Sequence, residues 1–234
     1  MEHLDLPRVS RAAGTLRLPG SKSISNRTLL LAALSRGATT LEGLLDSDDT
    51  RVMKGALETL GVRIEMLGPE RARVHGVGSA GFPVKRARIF LGNSGTSARS
   101  LAAVLALADG HYELHGVPRM HERPIGDLVD ALRPAGARIA WLGNEGFPPL
   151  AIAPRERPET PRLSIRGSVS SQFLSGVLMA LPWTGEAATV DIQGELISKP
   201  YVELTLGLMA RFGVDVKREG WSSFAIPGGA GYVS

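Results

Sequence analysis

The chain has 234 residues, of which 43% are hydrophobic and 21% are charged, and it contains no cysteine. This composition is ordinary for a globular protein with a buried core, and it excludes disulfide bonds and thiol chemistry. The net charge of +4 comes from lysine and arginine residues that are spread along the chain. It therefore fits an anionic small molecule at least as well as nucleic acid.

The first elements along the chain are a short strand, a polar turn and an apolar helix, all within LRLPGSKSISNRTLLLAAL. The same order recurs twice, in ARIFLGNSGTSARSLAAVLAL and in RLSIRGSVSSQFLSGVLMAL. Lys22, Gly95 and Val169 occupy similar places in these segments, at nearly equal spacing. Such internal repetition indicates one supersecondary unit that is used three times.

A glycine marks a second equivalent position in each copy. Gly61, Gly136 and Gly213 each follow a helical segment and precede a strand-like segment, as expected of a left-handed residue that ends a helix. Each copy is therefore predicted as strand, helix, strand, helix, strand, strand. In the first copy we place these elements at residues 14–19, 24–36, 38–44, 48–60, 62–67 and 71–76.

The two helices of each copy differ in character. TLLLAAL, SLAAVLALA and FLSGVLMAL are apolar on nearly every face, which is typical of helices inside a core, whereas the second helix of each copy is amphipathic. We therefore predict an α/β fold in which three βαβαββ repeats surround three buried helices. The N-termini of these helices, which carry the polar turns, are expected on one face.

The polar turns have the composition of an anion-binding site. A helix N-terminus offers unsatisfied amide donors and a partial positive charge, which favour phosphate and carboxylate groups. The alternative is that the serines and asparagine only cap the helices and that the cations are solvated. The polar, cationic and glycine residues that these turns contribute are Ser21, Lys22, Ser23, Ser25, Arg27, Asn93, Ser94, Gly95, Thr96, Arg99, Ser168, Ser170, Ser171 and Gln172.

Two later stretches also carry candidate binding residues. In PRMHERPIGDL, Arg123 precedes Pro124, and an arginine on such a rigid turn can clamp a carboxylate or phosphate. In GELISKPYVEL, Ser198 and Tyr201 stand at the start of the last amphipathic helix. From the residues alone, Tyr201 is as readily explained by packing. The histidines lack the spacing of metal ligands, so we expect no metal site.

Five segments together resemble the family of 5-enolpyruvylshikimate-3-phosphate synthases: LPGSKSISNR, LGNSGTSAR, RMHERPIGDLVDAL, GSVSSQFLSGVLMA and GELISKPYVELTL. The resemblance runs in order over nearly the whole chain. It implies domains of three βαβαββ units, an enolpyruvyl transferase-type fold that agrees with the repeats. It also implies transfer of the enolpyruvyl group of phosphoenolpyruvate to the 5-hydroxyl of shikimate 3-phosphate, with release of phosphate and with neither a metal nor an organic cofactor.

The resemblance also assigns roles to individual residues. Lys22 would lie between the two substrates, contact both and act as the catalytic residue. The residues that resemble further ligands of shikimate 3-phosphate are Ser23, Arg27, Ser170, Ser171, Ser198 and Tyr201. Those that resemble the phosphoenolpyruvate site are Asn93, Gly95, Thr96, Arg123 and Gln172.

Members of this family are nearly twice as long as this chain. We therefore expect residues 1–13 to begin a second domain, residues 14–228 to form the substrate-binding domain, and residues 229–234 to cross to the second domain. The isolated chain would then be inactive, because the proton acceptor and part of the ligand set belong to the other domain. The alternative is a stand-alone anion-binding module without catalysis.

Three further expectations concern partners and location. An RNA-binding protein is disfavoured because only 5% of the residues are aromatic and they are not interleaved with basic residues in the manner that stacks bases. No apolar run approaches the ~20 residues of a membrane span, and the N-terminus lacks the apolar core of a signal peptide. We expect a cytoplasmic monomer that binds neither nucleic acid nor membranes.

Overall fold

The computed structural model describes residues 3–157 and 161–234. Its α-helices are α1 Lys22–Leu34, α2 Asp48–Thr59, α3 Gly95–Ala106, α4 Gly126–Leu132, α5 Ser171–Ala180 and α6 Lys199–Arg211. Its strands are β1 Arg36–Glu42, β2 Arg63–Gly68, β3 Arg71–Val77, β4 Arg86–Phe90, β5 His111–His115, β6 Arg138–Trp141, β7 Leu150–Ala153, β8 Arg162–Arg166, β9 Ala188–Gln193, β10 Lys217–Glu219 and β11 Ser223–Ile226. The predicted α/β class and the order of elements in the second and third copies are confirmed.

Each repeat builds one sheet, and the three sheets share a strand order. The second sheet runs β4-β5-β7-β6 and the third runs β8-β9-β11-β10, while the first contains only β1-β3-β2. In the second and third sheets, the first strand of the repeat pairs in parallel with the next one, β4 with β5 and β8 with β9. The first sheet therefore lacks the strand that this position predicts.

The strand predicted at residues 14–19 is wrong. This segment has no regular structure, and Leu16 and Leu18 are more than 80% exposed. The edge of β1 is instead approached by the end of the chain, because Val233 forms a parallel bridge with Arg36. Tyr232 anchors this end: it is buried, and its hydroxyl donates to the carbonyl of Met179 at 2.8 Å.

The predicted buried helices are confirmed. Every residue of α1 from Leu29 to Leu34 is buried, as are nearly all residues of α3 and α5. A Cβ atom built on Gly176 of α5 would lie only 3.1 Å from the carbonyl oxygen of Arg99 on α3, so this glycine lets the two helices pack closely. Gly61, Gly136 and Gly213 have φ values of +88°, +84° and +84°, as predicted for left-handed residues.

Serine residues cap the N-termini of the three buried helices. The side chain of Ser21 accepts from the amide of Ile24, that of Ser94 from Ser97 and that of Ser170 from Gln172. The capping alternative is thus correct for these three serines, and the neighbouring polar side chains remain available for other contacts.

Among the helices of residues 3–157 and 161–234, none has the length and apolar character that a membrane span requires.

Candidate functional site

The N-termini of α1, α3, α5 and α6 meet around one cavity of about 390 Å³. This arrangement confirms that the three polar turns converge, and it adds the start of α6 to them. Helix N-termini supply partial positive charge, and both Lys22 and Arg27 line the same space. The polar residues that line the cavity are Lys22, Ser23, Arg27, Thr96, Ser170, Ser171, Gln172, Ser198 and Tyr201.

Arg27 is the most enclosed of the predicted site residues, with only 3% of its surface exposed. Its Nε donates to Thr205 Oγ1 at 2.8 Å, its Nη1 to the carbonyl of Ser23 at 3.0 Å and its Nη2 to Ser175 Oγ at 3.3 Å. A guanidinium has five N–H donors, so two remain for a ligand in the cavity. Burial lowers the pKa of Arg27, and Tyr201 partly offsets this shift.

The start of α6 is held against the third turn by backbone contacts. The amide of Ile197 donates to the carbonyl of Gly167 at 3.1 Å, and Ser198 lines the same cavity as Ser170. Ser198 has φ +54° and ψ +37° and is the one non-glycine residue with positive φ in the described parts of the chain. Such left-handed geometry costs roughly 1–2 kcal/mol for an L-residue and is often retained at functional sites.

The second turn is only partly included in the cavity. Thr96 lines it, whereas Asn93, Gly95 and Arg123 lie outside its lining. Arg123 folds across the start of α3: its Nη1 donates to the carbonyl of Asn93 at 2.8 Å, and a Cβ atom on Gly95 would lie 2.3 Å from its Nη2. The absence of a side chain at Gly95 therefore allows the guanidinium to lie over the helix N-terminus.

Arg99 is a site residue to which the sequence pattern assigned no separate role. It is 4% exposed, its Nη2 donates to the carbonyl of Pro124 at 2.7 Å, and its Nη1 has no hydrogen-bond partner among the described residues. Burial, with a smaller contribution from Arg123, lowers the pKa of Arg99 to about 10, so it stays charged at neutral pH. Arg99 thereby fixes the turn that presents Arg123 and adds positive charge behind it.

Asp49 connects the first turn to the second. It lies in the first turn of α2, where a carboxylate is favoured by the helix dipole. Its Oδ2 lies 3.5 Å from Nζ of Lys22, and its Oδ1 accepts from Oγ of Ser94 at 2.7 Å. The sequence pattern assigned no role to Asp49, because its partners, Lys22 and Ser94, are distant along the chain.

A larger depression of about 710 Å³ lies on the second sheet. It is shallow and formed by strands β4 to β7, without a helix N-terminus, and Arg88 on it is already paired with Glu113 at 2.7 Å. We place the candidate site at the smaller cavity because, unlike this depression, it combines cations, hydroxyls and helix N-termini. In the described residues, no group of three or more His, Asp or Glu side chains is arranged to hold a metal ion.

Similarity to known proteins identifies the family of this chain. A sequence profile described as EPSP synthase (3-phosphoshikimate 1-carboxyvinyltransferase) matches residues 7–232. The chain belongs to the EPSP synthase family. Proteins named 3-phosphoshikimate 1-carboxyvinyltransferase are similar to it: that of Ralstonia nicotianae is 62% identical, with 99% of this chain and 54% of the relative covered. That of Cellvibrio japonicus is 56% identical, with 100% and 54% covered.

Solved structures of similar proteins support the same family assignment. The structure titled EPSP synthase from Acinetobacter baumannii is 29% identical, superimposes with a TM-score of 0.83 and matches 94% of this chain and 49% of that one. The enolpyruvyl transferase NikO from Streptomyces tendae, at 17% identity and a TM-score of 0.63, shares the fold. The chain spans about half the length of the curated relatives it matches. The predicted family and enolpyruvyl transferase-type fold are confirmed.

Proposed function

We propose that this chain is the shikimate 3-phosphate-binding portion of a 3-phosphoshikimate 1-carboxyvinyltransferase. The observation that carries the proposal is the single cavity around which seven side chains predicted to bind this substrate are gathered, although they are distant along the sequence. They are Lys22, Ser23, Arg27, Ser170, Ser171, Ser198 and Tyr201.

The cavity has donors that suit a phosphorylated polyol. Arg27 keeps two N–H groups for a phosphate, and the N-terminus of α5 at Ser171 adds partial positive charge. The hydroxyls of Ser198 and Tyr201, which line the same cavity, can bond the ring hydroxyls of the substrate. Because Arg27 is already fixed by three hydrogen bonds, binding costs little further side-chain ordering.

Phosphoenolpyruvate is proposed to bind beside this cavity, at the second turn. Arg123 over Gly95 provides a cation at the N-terminus of α3, with Arg99 behind it. The side chains of Thr96 and Gln172 border both sites. Lys22 stands between the two anions, where its ammonium would offset their repulsion and stabilise charge that develops during transfer.

The catalytic role of Lys22 and the inactivity of the isolated chain are also proposals. The chain spans about half of its relatives, and the family's proton acceptor is expected in the other half. Residues 1–13 are proposed to begin that second domain and residues 229–234 to lead back to it. Large apolar side chains of the N-terminal segment, Leu4, Leu6, Val9, Leu16 and Leu18, are at least 73% exposed, which suits contact with another domain.

Titration calorimetry of the 234-residue chain at low salt tests the binding proposal. Shikimate 3-phosphate should bind measurably, and phosphoenolpyruvate should bind more weakly, because the second turn is less enclosed. Equal affinity for the two compounds, or no binding of shikimate 3-phosphate, would contradict the assignment. Binding of inorganic phosphate as tightly as shikimate 3-phosphate would favour a general anion-binding module.

Release of phosphate from a mixture of both substrates tests the activity proposal. We expect no turnover by the isolated chain, because one domain cannot supply the complete set of acid, base and cationic groups. A rate close to that of a full-length relative, measured beside it, would show that the chain needs no second domain. The proposed monomeric state is tested by the mass of the protein in solution, and the proposed cytoplasmic location by its location in the cell. The proposal that it needs no metal or cofactor is tested by its metal and cofactor content.

A further inference from the structure

Asp49 lies at the meeting point of three helix N-termini. It belongs to the first turn of α2, it contacts Lys22 at the start of α1, and it accepts a hydrogen bond from Ser94, the N-cap of α3. Its side chain is 23% exposed. The carboxylate thus lies at the border of the candidate site without lining the substrate cavity.

The carboxylate of Asp49 is more firmly held than the ammonium of Lys22. Ser94 Oγ donates to its Oδ1 at 2.7 Å, and the backbone carbonyl of Asp49 accepts from Ser97 Oγ at 3.3 Å. Both the side chain and the main chain of Asp49 are therefore fixed to α3. The side chain of Lys22, by contrast, is 48% exposed, and its Nζ lies 3.5 Å from Asp49 Oδ2.

We infer that Asp49 is a positioning residue: it holds the Lys22 ammonium at the junction of the first and second turns, where both substrates need it. This inference rests on the proposed function for its ligand, but its geometric part is independent of the ligand. A lysine has four rotatable side-chain bonds and loses considerable rotamer freedom when fixed. A carboxylate that is itself anchored can hold that lysine before the anions arrive.

The sign of the effect separates positioning from simple electrostatics. An acid next to an anion site repels the ligand, so Asp49→Asn would tighten substrate binding if Asp49 acted only through its charge. If Asp49 positions Lys22, the same change should weaken binding. Asparagine keeps an oxygen that can accept from Ser94, so the cap of α3 is retained while the ion pair is lost.

A double-mutant cycle tests the inference by calorimetric titration of the 234-residue chain with shikimate 3-phosphate. We expect Asp49→Asn to weaken binding by about twofold to fivefold, the range of a partly exposed ion pair. In a Lys22→Gln background, Asp49→Asn should cause no further loss. The matched control is Asp48→Asn, because Asp48 is 98% exposed and pairs with Arg51; it should change affinity by less than about twofold.

A second measurement needs no substrate. Trinitrobenzenesulfonate labels free lysine ammonium groups after deprotonation, and peptide mass spectrometry reports the labelling rate at each lysine. Lys22 should be labelled severalfold faster in Asp49→Asn than in the wild type, whereas Lys199 serves as an internal reference. Melting curves of each variant verify that the proteins remain folded.

The outcomes distinguish the positioning role of Asp49 from the proposed function of the chain. Unchanged labelling of Lys22 in Asp49→Asn, or tighter binding of shikimate 3-phosphate by this variant, would overturn the positioning role. An equal loss of affinity in the wild-type and Lys22→Gln backgrounds would also overturn it. Failure of the wild-type chain to bind shikimate 3-phosphate would instead overturn the proposed function, and the labelling rates would then decide the role of Asp49 alone.

Discussion

The site has two regions that place an arginine near a helix N-terminus in different ways. Between the first and third turns, Arg27 is 3% exposed and bonded to Thr205 and Ser175. At the second turn, Arg123 lies across the glycine that starts α3 and donates to the carbonyl of Asn93. The first region is built from several repeats, while the second is formed mainly within one.

The two regions differ in how firmly their arginine side chains are held before a ligand binds. Arg27 is held by groups from α1, α5 and α6, so it contributes both to the packing of these helices and to the candidate site. Arg123 is positioned by the absence of a side chain at Gly95 and by Arg99 behind its loop. We therefore expect replacement of Arg27 to affect stability and binding together, and variants of the second region to affect binding alone.

Arg27→Ala should give the largest effect. It removes a charge-assisted contact to phosphate worth on the order of 1.5–3 kcal/mol, equivalent to roughly a tenfold to hundredfold loss of shikimate 3-phosphate affinity. From the sequence, this change is expected to leave stability nearly unaltered. The structure corrects that expectation: the variant removes the guanidinium that donates to the buried hydroxyls of Thr205 and Ser175, so the melting temperature should also fall.

Arg63→Ala is the matched control for Arg27→Ala. Arg63 is 73% exposed, lies in β2 away from the polar turns and pairs with Glu65 at 2.5 Å. It should change neither affinity nor melting temperature appreciably. If Arg27→Ala melts and binds like this control, the buried network does not support the site as described.

Gly95→Ala should separate the two regions. A methyl group at this position would lie 2.3 Å from Nη2 of Arg123, closer than real Cβ contacts, so the guanidinium must move. In an assembled two-domain protein we expect phosphoenolpyruvate affinity to fall by about tenfold, the value of one charge-assisted hydrogen bond. Shikimate 3-phosphate affinity in the isolated chain should be unchanged, and a parallel loss there would contradict the separation.

Tyr201→Phe should have a smaller effect, restricted to the first region. The ring is half exposed and its backbone carbonyl, which accepts from Thr205, is retained. Loss of one neutral hydrogen bond from the hydroxyl should weaken shikimate 3-phosphate binding by roughly twofold to tenfold. Calorimetry measures this loss, and an unchanged affinity would indicate that Tyr201 serves packing and not binding.

Ser198 offers a comparison of stability with function. Both Ser198→Gly and Ser198→Ala remove the hydroxyl and should weaken binding equally. Only glycine relieves the left-handed backbone at φ +54°, so Ser198→Gly should be more stable than Ser198→Ala by about 1 kcal/mol. Denaturant unfolding of the two variants measures the difference, and equal stabilities would show that the backbone is not strained.

The sequence by itself determined the local features. Three copies of one pattern predicted the order of elements, because apolar periodicity and helix-ending glycines act within a few residues. The glycines at 61, 136 and 213 are left-handed as predicted, and the helices predicted at 24–36 and 48–60 are present as Lys22–Leu34 and Asp48–Thr59. The convergence of the polar turns followed from the apolar helices that carry them.

Tertiary structure alone decided which distant groups meet. Residues 14–19 have a strand-like pattern, but whether they pair depends on a free sheet edge, and Val233 bridges the edge of β1 at Arg36 instead. The burial of Arg27 and the ion pair of Lys22 with Asp49 likewise join separate elements. Local patterns do not encode such contacts, because hydrogen bonds and ion pairs between elements depend on how the helices pack in three dimensions.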